Sequence, residues 1–450
     1  MSKNKTMKTN IHSLCPLDGR YEPSVKELRD YFSEYATIKE RVHVEIKYFL
    51  ALLELDETKN LNDLDASVEG FLQMIIDDFN EQDAITIKKI EAETNHDVKA
   101  IEYFIKEKME ESGYGKWKEM VHFGLTSQDI VSTAFGCQLK KAYKEVLLPN
   151  LIEVINSINF RSFSLGDIPM LARTHGQPAS PTNLGKELLV FHSRLNKQLK
   201  ILDAIPITAK FGGAVGNLSA HVVTYPTVNW QEFADKFVND LVLKRNSFTT
   251  QIDHYDDLAA FLDCWRRIQV ILLDFTRDMW QYISMGYLVL DVNEKEVGSS
   301  TMPHKINPID FENSEGNLGL SIALCTHLST KLPVSRLQRD LSDSTVLRNV
   351  GTLFGYTLLA LKGLRKGLNK VQPNKAKIKE DLYKDWSVIG EAIQSILRRE
   401  GYPGAYDKVK AFTRNNECLN QKQVHAFIKG LDIKESVKEE LLKLTPGNVV

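Results

Sequence analysis

The stretch LDCWRRIQVILLDFTRDMWQYI (262–283) decides the fold class. Its apolar residues recur every three or four positions, which is the period of one face of an α-helix. They are Leu262, Trp265, Ile268, Leu272, Phe275, Met279 and Ile283. Val270, Ile271 and Leu273 widen this stripe, so we expect a helix that is covered on most sides. Because residues 227–285 contain neither glycine nor proline, the sequence predicts a long helix in the middle of a bundle.

The rest of the chain also favours helices. Three further intervals, 24–69, 71–112 and 186–205, lack both glycine and proline. Alternating apolar and polar runs are scarce, and no Asn-Gly or Asp-Gly turn is flanked by such runs as in a hairpin. No repeat recurs at a fixed period of 20–50 residues. The sequence therefore predicts an all-α fold.

Glycine and proline cluster in a few segments, and these suggest domain boundaries. The main clusters are CPLDGRYEP (15–23), RTHGQPASP (173–181), FGGAVGN (211–217) and VGSSTMPHKINP (297–308), with smaller breaks at 112–115 and 401–406. A chain of 450 residues is long enough for two or three domains. We expect an N-terminal helical domain over 1–115, a central helical bundle domain over 116–370 and a C-terminal helical domain over 371–450.

Composition excludes several classes of function. The 57 basic and 59 acidic residues leave a net charge of −2, which gives no general attraction to nucleic acid or to an anionic membrane. The five cysteines are scattered and never form C-x-x-C, so neither a zinc site nor a disulfide framework is indicated. The N-terminus lacks the apolar run of a signal peptide, and no segment resembles a membrane span. We expect a cytoplasmic protein.

Two polar segments in the first third of the chain have both a functional and an ordinary interpretation. In TNHDVKA (94–100), His96 between Asn95 and Asp97 could orient a ligand, or Thr94 or Asn95 could simply cap a helix. In HFGLTSQD (122–129), Thr126 or Ser127 could bind a carboxylate beside a backbone N–H or could be an ordinary N-cap.

Three later segments raise the same question. RTHGQPASP places His175 among turn formers, where it could transfer protons or be structural. FGGAVGN lacks the G-x-G-x-x-G spacing of a phosphate loop and favours a close approach of a helix to a loop. QRDLSDSTVLR (338–348) could hold a phosphate or carboxylates, or could be a solvated helix face of mixed charge. Its candidate ligands are Arg339, Ser344, Thr345 and Arg348.

The segment VGSSTMPHKINP combines small residues with reactive side chains. It is neither a P-loop nor a Ser-x-x-Lys motif, and no metal-ligand spacing such as H-E-x-x-H occurs in the chain. A serine can act as a general base where an ammonium group and backbone N–H groups stabilise its alkoxide. The small residues at 298–301 would suit a lid over a substrate. A flexible surface loop is the ordinary alternative.

Taken together, these motifs resemble a known superfamily. GSSTMPHKINP (298–308) matches every defined position of G-S-S-x-M-P-x-K-x-N-P, the signature loop of the fumarase/aspartase superfamily. From about Leu14 to the C-terminus, the segments LDGRY, TNHDVKA, TSQD, RTHGQPA, GAVGN, STMPHKINPIDFENSEGN and PVSRLQRDLSDSTVLRN resemble the adenylosuccinate lyase family, closest to its bacterial subgroup. The resemblance implies a three-domain, all-α protomer whose long central helices build the twenty-helix core of a homotetramer. Each active site would gather loops from three protomers.

The resemblance also implies a reaction and a set of residues. The reaction is β-elimination of fumarate from adenylosuccinate, giving AMP, and from SAICAR, giving AICAR, in purine biosynthesis. Ser299 would be the general base, His175 the general acid, and Lys305 and Asn307 would stabilise the substrate carboxylates, while His96 orients the substrate. The other expected substrate contacts are Arg20, Tyr21, Asn95, Asp97, Thr126, Ser127, Gln251, Asn313, Arg339, Ser344, Thr345 and Arg348. No metal or organic cofactor is implied.

Two alternatives follow from the same motifs. Another fumarate-releasing member of the superfamily, such as argininosuccinate lyase, shares the signature loop; the expected phosphate contacts, including Arg20 and Arg348, argue against it. A helical scaffold without activity is the second alternative, and the presence of Ser299, Lys305 and His175 argues against it. One departure from some relatives is Gln128, where they carry Glu, which would alter the charge beside the succinyl group.

Overall fold

The computed structural model describes residues 11–61, 66–291, 301–302, 304–414 and 418–450. Its first seven helices are α1 (Glu22–Val25), α2 (Arg29–Phe32), α3 (Glu34–Leu53), α4 (Ala66–Asp77), α5 (Glu81–Thr94), α6 (Asp97–Glu111) and α7 (Ser127–Ala142). The next eight are α8 (Leu148–Ser164), α9 (Leu184–Asp203), α10 (Ser219–Thr224), α11 (Trp230–Asp240), α12 (Asp256–Ser284), α13 (Ile309–Lys331), α14 (Ser342–Leu347) and α15 (Val350–Lys370). The last five are α16 (Lys375–Tyr383), α17 (Gly390–Arg399), α18 (Ala405–Arg414), α19 (Gln421–Lys429) and α20 (Glu435–Leu442).

Strands are few and short in the described ranges. They form an antiparallel pair, β1 (Pro169–Thr174) with β2 (Gln177–Asn183), a parallel pair, β3 (Thr208–Lys210) with β4 (Lys244–Asn246), and an antiparallel pair, β5 (Leu288–Leu290) with β6 (Val371–Pro373). The predominance of helices confirms the predicted all-α class. None of the helices described is long and apolar enough to cross a membrane.

Helix α12 confirms the periodic stripe that the sequence predicts. Leu262, Trp265, Ile268, Leu272, Phe275 and Met279 are at most 1% exposed, while Ile283 is partly buried. The expectation that this helix is covered on most sides is wrong for the single chain. Val270 and Trp280 are 42% and 40% exposed, and Asp274 and Arg277 on the same side are exposed as well. The stripe is therefore wide enough to seat the helix against the core but leaves one long face open.

Intervals without glycine or proline turn out to contain several helices each. Residues 71–112 are divided among three helices, because Asn80 caps the start of α5 and Asn95 ends it in the left-handed conformation, φ 53°. Residues 227–285 are likewise divided, and Val242 and Tyr255 adopt φ of 61° and 59° at the interruptions. Asparagine N-caps can thus begin helices, and left-handed residues can end them, where no glycine or proline marks the boundary.

The chain divides into two compact units. The first unit contains the described residues of 1–151, 198–270 and 317–360, and the second contains those of 152–197, 271–316 and 361–450. Within the first unit, one apolar core packs α3, α4, α5 and α6, and another packs α3 and α7 against α11 and the strand pair β3–β4. In the second unit, residues Leu382–Leu441 supply most of a separate apolar core. The predicted three-domain division remains a prediction.

Candidate active site

The first unit contains a cavity of about 500 Å³ that collects many of the predicted site residues. Eight of them line it: Asn95, His96, Asp97, Ser127, Arg339, Ser344, Thr345 and Arg348. They come from three places in the chain, namely the start of α6, the start of α7, and the segment around α14. These motifs, each of which also has an ordinary interpretation, therefore meet at one cavity within a single unit.

His96 directly precedes α6 and lines the cavity. Its Nδ1 accepts a hydrogen bond from the backbone N–H of Lys99 at 3.1 Å, so His96 is the N-cap. The prediction that Thr94 or Asn95 caps this helix is wrong, because Asn95 instead ends the preceding helix in the left-handed conformation. Since Nδ1 acts as an acceptor, a neutral His96 ring carries its proton on Nε2. The side chain is half exposed and can offer that N–H to a ligand.

Asp97 joins two arginines in the cavity wall. Its Oδ2 accepts from Arg41 Nη1 at 2.8 Å and from Arg348 Nη2 at 3.4 Å. Burial raises the pKa of Asp97, but Arg41, the N–H of Val98 and Arg348 together hold it below its usual value. Arg348 also lies 3.7 Å from Glu34. The carboxylate of Asp97 therefore stays charged and fixes the orientation of both guanidinium groups.

The start of α7 supplies the second wall. Thr126 is the N-cap, and its backbone N–H donates to Asp129 Oδ2 at 2.8 Å, as in a capping box. This arrangement presents Ser127 and Gln128 at the first turn of a sixteen-residue helix, where the helix dipole and free N–H groups favour a negative charge. The ordinary interpretation of the segment, a helix cap, is thus confirmed for Thr126, and the binding of a carboxylate by Thr126 or Ser127 stays a prediction.

Arg339 lines the cavity and is oriented by a hydrogen bond to a neutral side chain. Its Nη1 donates to Gln251 Oε1 at 3.1 Å, and the Gln251 backbone N–H donates to Gln338 O at 3.3 Å. In the described part of the chain, no carboxylate lies within 4.0 Å of its guanidinium. A cation without a carboxylate partner, beside two helix N-termini, is suited to bind an anionic ligand. Gln251 does not line the cavity but orients a residue that does.

A buried network holds the loop that leads into α7. The Tyr48 hydroxyl donates to the carbonyl of Phe123 at 2.7 Å and therefore accepts from His221 Nε2 at 2.9 Å. The second ring nitrogen of His221 is buried without a partner among the described residues. Burial lowers the pKa of His221 to about 4, so this ring is neutral at physiological pH.

His122, in the same loop, forms a buried pair with an acidic residue. Its Nδ1 lies 2.5 Å from Oε1 of Glu45, whose side chain has no exposed surface. Burial lowers the pKa of His122, but the adjacent Glu45 carboxylate raises it above the usual value. The hydrogen bonds of Tyr48 and the pair of His122 with Glu45 hold the loop directly before Thr126 and Ser127.

In the second unit, His175 occupies the tip of a β-hairpin. Thr174 pairs with Gln177, so His175 and Gly176 form a two-residue turn with φ of 54° and 75°. Two positive φ values are typical of a type I′ turn, which is well suited to strand hairpins. The sequence did not predict this hairpin, because its turn is His-Gly and its second strand contains two prolines. His175 is exposed at the tip.

The remaining residues predicted for catalysis are only partly described. Lys305 is exposed, Asn307 is partly buried, and Asn313 is exposed on α13; all three belong to the second unit. Ser299 lies outside the described residues. Arg20 and Tyr21, in the first unit, contact each other, with the Arg20 guanidinium 5.8 Å from the Tyr21 ring centre, but do not line the 500 Å³ cavity.

Comparison with known proteins identifies the family. A family model described as Lyase matches residues 19–320, and one described as Adenylosuccinate lyase C-terminal matches residues 335–450. The chain is 50% identical over 450 residues to an adenylosuccinate lyase of Dictyostelium discoideum, covering 98% of this chain and 97% of that protein. This chain belongs to the adenylosuccinate lyase family. It is an enzyme, and its class is lyase.

Other relatives and solved structures agree with membership of the adenylosuccinate lyase family. An adenylosuccinate lyase of Escherichia coli (strain K12) is 43% identical over 443 residues, which cover 98% of this chain and 97% of that protein. A fumarate lyase from Mesorhizobium sp. BNC1 has a similar fold, with a TM-score of 0.75 at 16% identity over 94% of each chain. A 3-carboxy-cis,cis-muconate lactonizing enzyme from Pseudomonas putida gives 0.70 at 19% identity, over 94% of this chain and 93% of the other. These two structures establish the fold alone.

The structure adds residues to the site that sequence motifs did not identify for this member of the adenylosuccinate lyase family. Arg41, Glu34 and Gln138 line the cavity from α3 and α7. Arg41 lies inside helix α3, away from any glycine or proline cluster, so no sequence motif marks it. Its signal was a charged residue on the buried face, between Ile38 and Val42. Among the described residues, no group of three or more His, Cys, Asp or Glu is placed to hold a metal ion.

Proposed function

We propose that this lyase cleaves the C–N bond of adenylosuccinate to give AMP and fumarate, and the equivalent bond of SAICAR to give AICAR and fumarate. Both substrates carry a phosphate and two carboxylates on a planar base. The observation that supports the proposal is the cavity of the first unit, where two helix N-termini face the same space as Arg339 and Arg348. Such a site compensates several negative charges on one small molecule.

The chemistry requires a base, an acid and a site for the developing charge. We assign Ser299 as the base that removes a proton from the succinyl carbon next to a carboxylate. The resulting carbanion spreads into that carboxylate as an aci form, which Lys305 and Asn307 stabilise. Removal of one such preorganised donor costs about 3–4 kcal/mol in known oxyanion sites. His175 then protonates the departing nitrogen as the C–N bond breaks, a role that contributes roughly 10²–10⁴ in rate.

The proposed substrate contacts divide between the two ends of the substrate. His96, Thr126 and Ser127 bind and orient the succinyl part, while Gln251 orients Arg339 at the other end of the substrate. The residues assigned to the nucleotide phosphate and ribose are Arg20, Tyr21, Asn313, Arg339, Ser344 and Arg348, and Asn95, Asp97 and Thr345 are assigned as further substrate contacts. The start of α7 supports the assignment of the succinyl part, because Ser127 and Gln128 in the first turn of this helix line the cavity.

We propose that the working enzyme is a cytoplasmic homotetramer whose sites combine loops from several protomers. Large apolar side chains lie exposed on its long helices, and they support association. Phe160, Phe163 and Leu320 are 70%, 75% and 51% exposed in the single chain. Packing of these faces against copies of the chain would cover the open side of α12, as expected for a helical bundle built from several protomers.

A direct assay tests the proposed reaction. Purified protein is incubated with adenylosuccinate, SAICAR or argininosuccinate in parallel, and fumarate and the second product are quantified. We expect fumarate with AMP from the first substrate, fumarate with AICAR from the second, and no fumarate from argininosuccinate. Absence of AMP from adenylosuccinate would overturn the proposal, and fumarate from argininosuccinate alone would assign the site to the rival lyase.

A further inference from the structure

The segment FGGAVGN (211–217), called here the glycine loop, lies between two segments that carry predicted substrate contacts. On one side, Asp129 Oδ1 accepts hydrogen bonds from the backbone N–H of Gly212 at 2.8 Å and of Gly213 at 3.2 Å. The other oxygen of the same carboxylate accepts the N–H of Thr126. One buried carboxylate therefore joins the glycine loop to the first turn of α7, which presents Ser127 to the cavity.

Lys210, directly before the glycine loop, connects Asp129 to the glycine loop through its side chain. Its side chain has no exposed surface, and its Nζ donates to Asp129 Oδ1 at 2.7 Å and to the carbonyl of Gly213 at 2.6 Å. Its backbone N–H donates to Ser132 Oγ at 2.9 Å. Because the ammonium is buried and bonded within the chain, it has no surface to offer a substrate. Its effect on the reaction must pass through the groups that it holds.

The other side of the glycine loop approaches the segment before Gln251. Gly216 has φ of +85°, and a Cβ added there would lie 2.1 Å from the carbonyl oxygen of Thr249 and 2.9 Å from that of Thr250. The next residue, Gln251, accepts from Arg339 in the cavity wall. Only a residue without a side chain allows this approach of two backbone segments.

We infer that the glycine loop is the spacer that sets the distance between the first turn of α7 and the Gln251–Arg339 pair. Gly216 and Lys210 are then positioning residues for the reaction, although neither touches the substrate. The inference rests on the proposed function, since it assumes that Ser127 and Arg339 hold opposite parts of one ligand. A misplacement of about 1 Å between such groups costs on the order of 100-fold in rate.

Gly216→Ala tests the spacer directly, and the chain provides a matched control. The new methyl group must push residues 249–251 away, which should break the bond from Arg339 to Gln251. Gly113 has nearly the same backbone conformation, φ +83°, but a Cβ added there meets nothing within 4 Å. Gly113→Ala therefore carries the same backbone strain without the push. We expect KM for adenylosuccinate to rise about 10–100-fold in Gly216→Ala with a smaller fall in kcat, and neither to change in Gly113→Ala.

A double-mutant cycle separates positioning from simple loss of stability. Gln251→Ala alone should raise KM, and adding Gly216→Ala to it should change KM little further, because the contact that Gly216 protects is already absent. Equal kinetics of Gly216→Ala and Gly113→Ala would overturn the inference. So would a double variant whose loss is the product of the two single losses, because Gly216 would then act independently of Gln251.

A second pair of variants covers the case in which Gly216→Ala does not fold. A Cβ at Gly213 would lie 3.2 Å from the carbonyl oxygen of Gly124, so Gly213→Ala applies a milder push to the loop before Ser127. Its effect on KM should shrink in a Ser127→Ala background, and an undiminished effect would contradict the spacer. The unmodified enzyme is assayed beside all variants. If it yields no AMP from adenylosuccinate, the proposed function fails; if it is active and the cycles are additive, only the spacer fails.

Discussion

Arg41 Nη1 lies 2.8 Å from Oδ2 of Asp97, and this ion pair forms part of the cavity wall. Asp97 is the first residue of α6 and directly follows His96, the cap of that helix. The same carboxylate oxygen is 3.4 Å from Arg348. A residue in the middle of α3 thus determines where two predicted ligand-binding side chains, His96 and Arg348, stand.

Replacing Arg41 should therefore weaken both the fold and the site. Arg41→Met keeps the length and apolar contacts of the side chain but leaves Asp97 with the longer contact to Arg348 as its remaining arginine partner. We expect the free energy of unfolding to fall by about 1.5–3 kcal/mol, as for a hydrogen bond to a charged group, and KM for adenylosuccinate to rise. Urea denaturation and steady-state kinetics measure the two effects.

An exposed arginine provides the control for this variant. Arg399 pairs with Glu440 at 2.6 Å, but both side chains are about half exposed, and we expect Arg399→Met to change stability and KM little. If Arg41→Met behaves like Arg399→Met, the ion pair with Asp97 does not organise the cavity.

The buried ring of His221 should make stability depend on pH. Its pKa in the folded protein is about 4, whereas an unperturbed histidine titrates near 6.5, so between these values the unfolded chain binds the proton and the folded chain does not. Stability contributed by the neutral ring is fully present above pH 6.5 and is lost as pH falls toward 4, by about 3 kcal/mol in all. His221→Gln, which keeps a donor for Tyr48, should remove this part of the dependence. An unchanged pH profile of unfolding in the variant would contradict the assignment.

Ser299→Ala tests the proposed base. We expect turnover of adenylosuccinate to fall by roughly 10²–10⁴, because the carbon proton loses its acceptor, while the substrate still binds. The adjacent Ser300→Ala is the matched control and should retain most of the activity. Turnover is followed by fumarate release, and binding is followed by equilibrium titration. Near-normal turnover in Ser299→Ala, or an equal loss in both variants, would remove Ser299 from this role.

Mixing two inactive variants tests whether sites are shared between protomers. His175→Ala lacks the proposed acid and Ser299→Ala lacks the proposed base, so each alone should be inactive. If one site takes these residues from different protomers, hybrid tetramers contain some sites with both, and mixing should restore part of the activity. Lack of recovery after demonstrated exchange of subunits would place both residues of each site on one chain.

Much of the fold follows from local patterns, but the helix breaks do not. The 3.6-residue period of 262–283 predicts α12 because its stripe is long and nearly free of polar interruptions. Asn95, between α5 and α6, and Tyr255, directly before α12, adopt positive φ, and nothing in their neighbours marks this conformation. The hairpin that carries His175 was equally hidden, since its strands do not alternate and its turn is His-Gly. Tertiary contacts, rather than local propensity, select these conformations.

The cavity residues that the sequence predicts lie in short polar motifs in or beside the ends of helices. Motifs rich in small and polar residues led to His96, Ser127 and Arg339, and the structure brings these three to one cavity. No sequence pattern predicted a role for Arg41 or Lys210, because buried charged residues in helices and strands are recognisable only once their partners are known. The partner of Lys210 is Asp129, 81 positions earlier in the chain. No periodicity in a single sequence reports such a pairing.

The hairpin β1–β2 is poorly suited to pair with a third strand. Pro178 and Pro181 in β2 lack backbone N–H groups, so β2 has fewer donors for pairing with a further strand. The prolines therefore protect the edge of β2 against pairing with a strand of another chain. The imidazole of His175 is carried at the tip of a hairpin that also packs against the rest of the second unit, since Leu171 belongs to the apolar core of that unit and Arg173 lies 3.9 Å from Asp381.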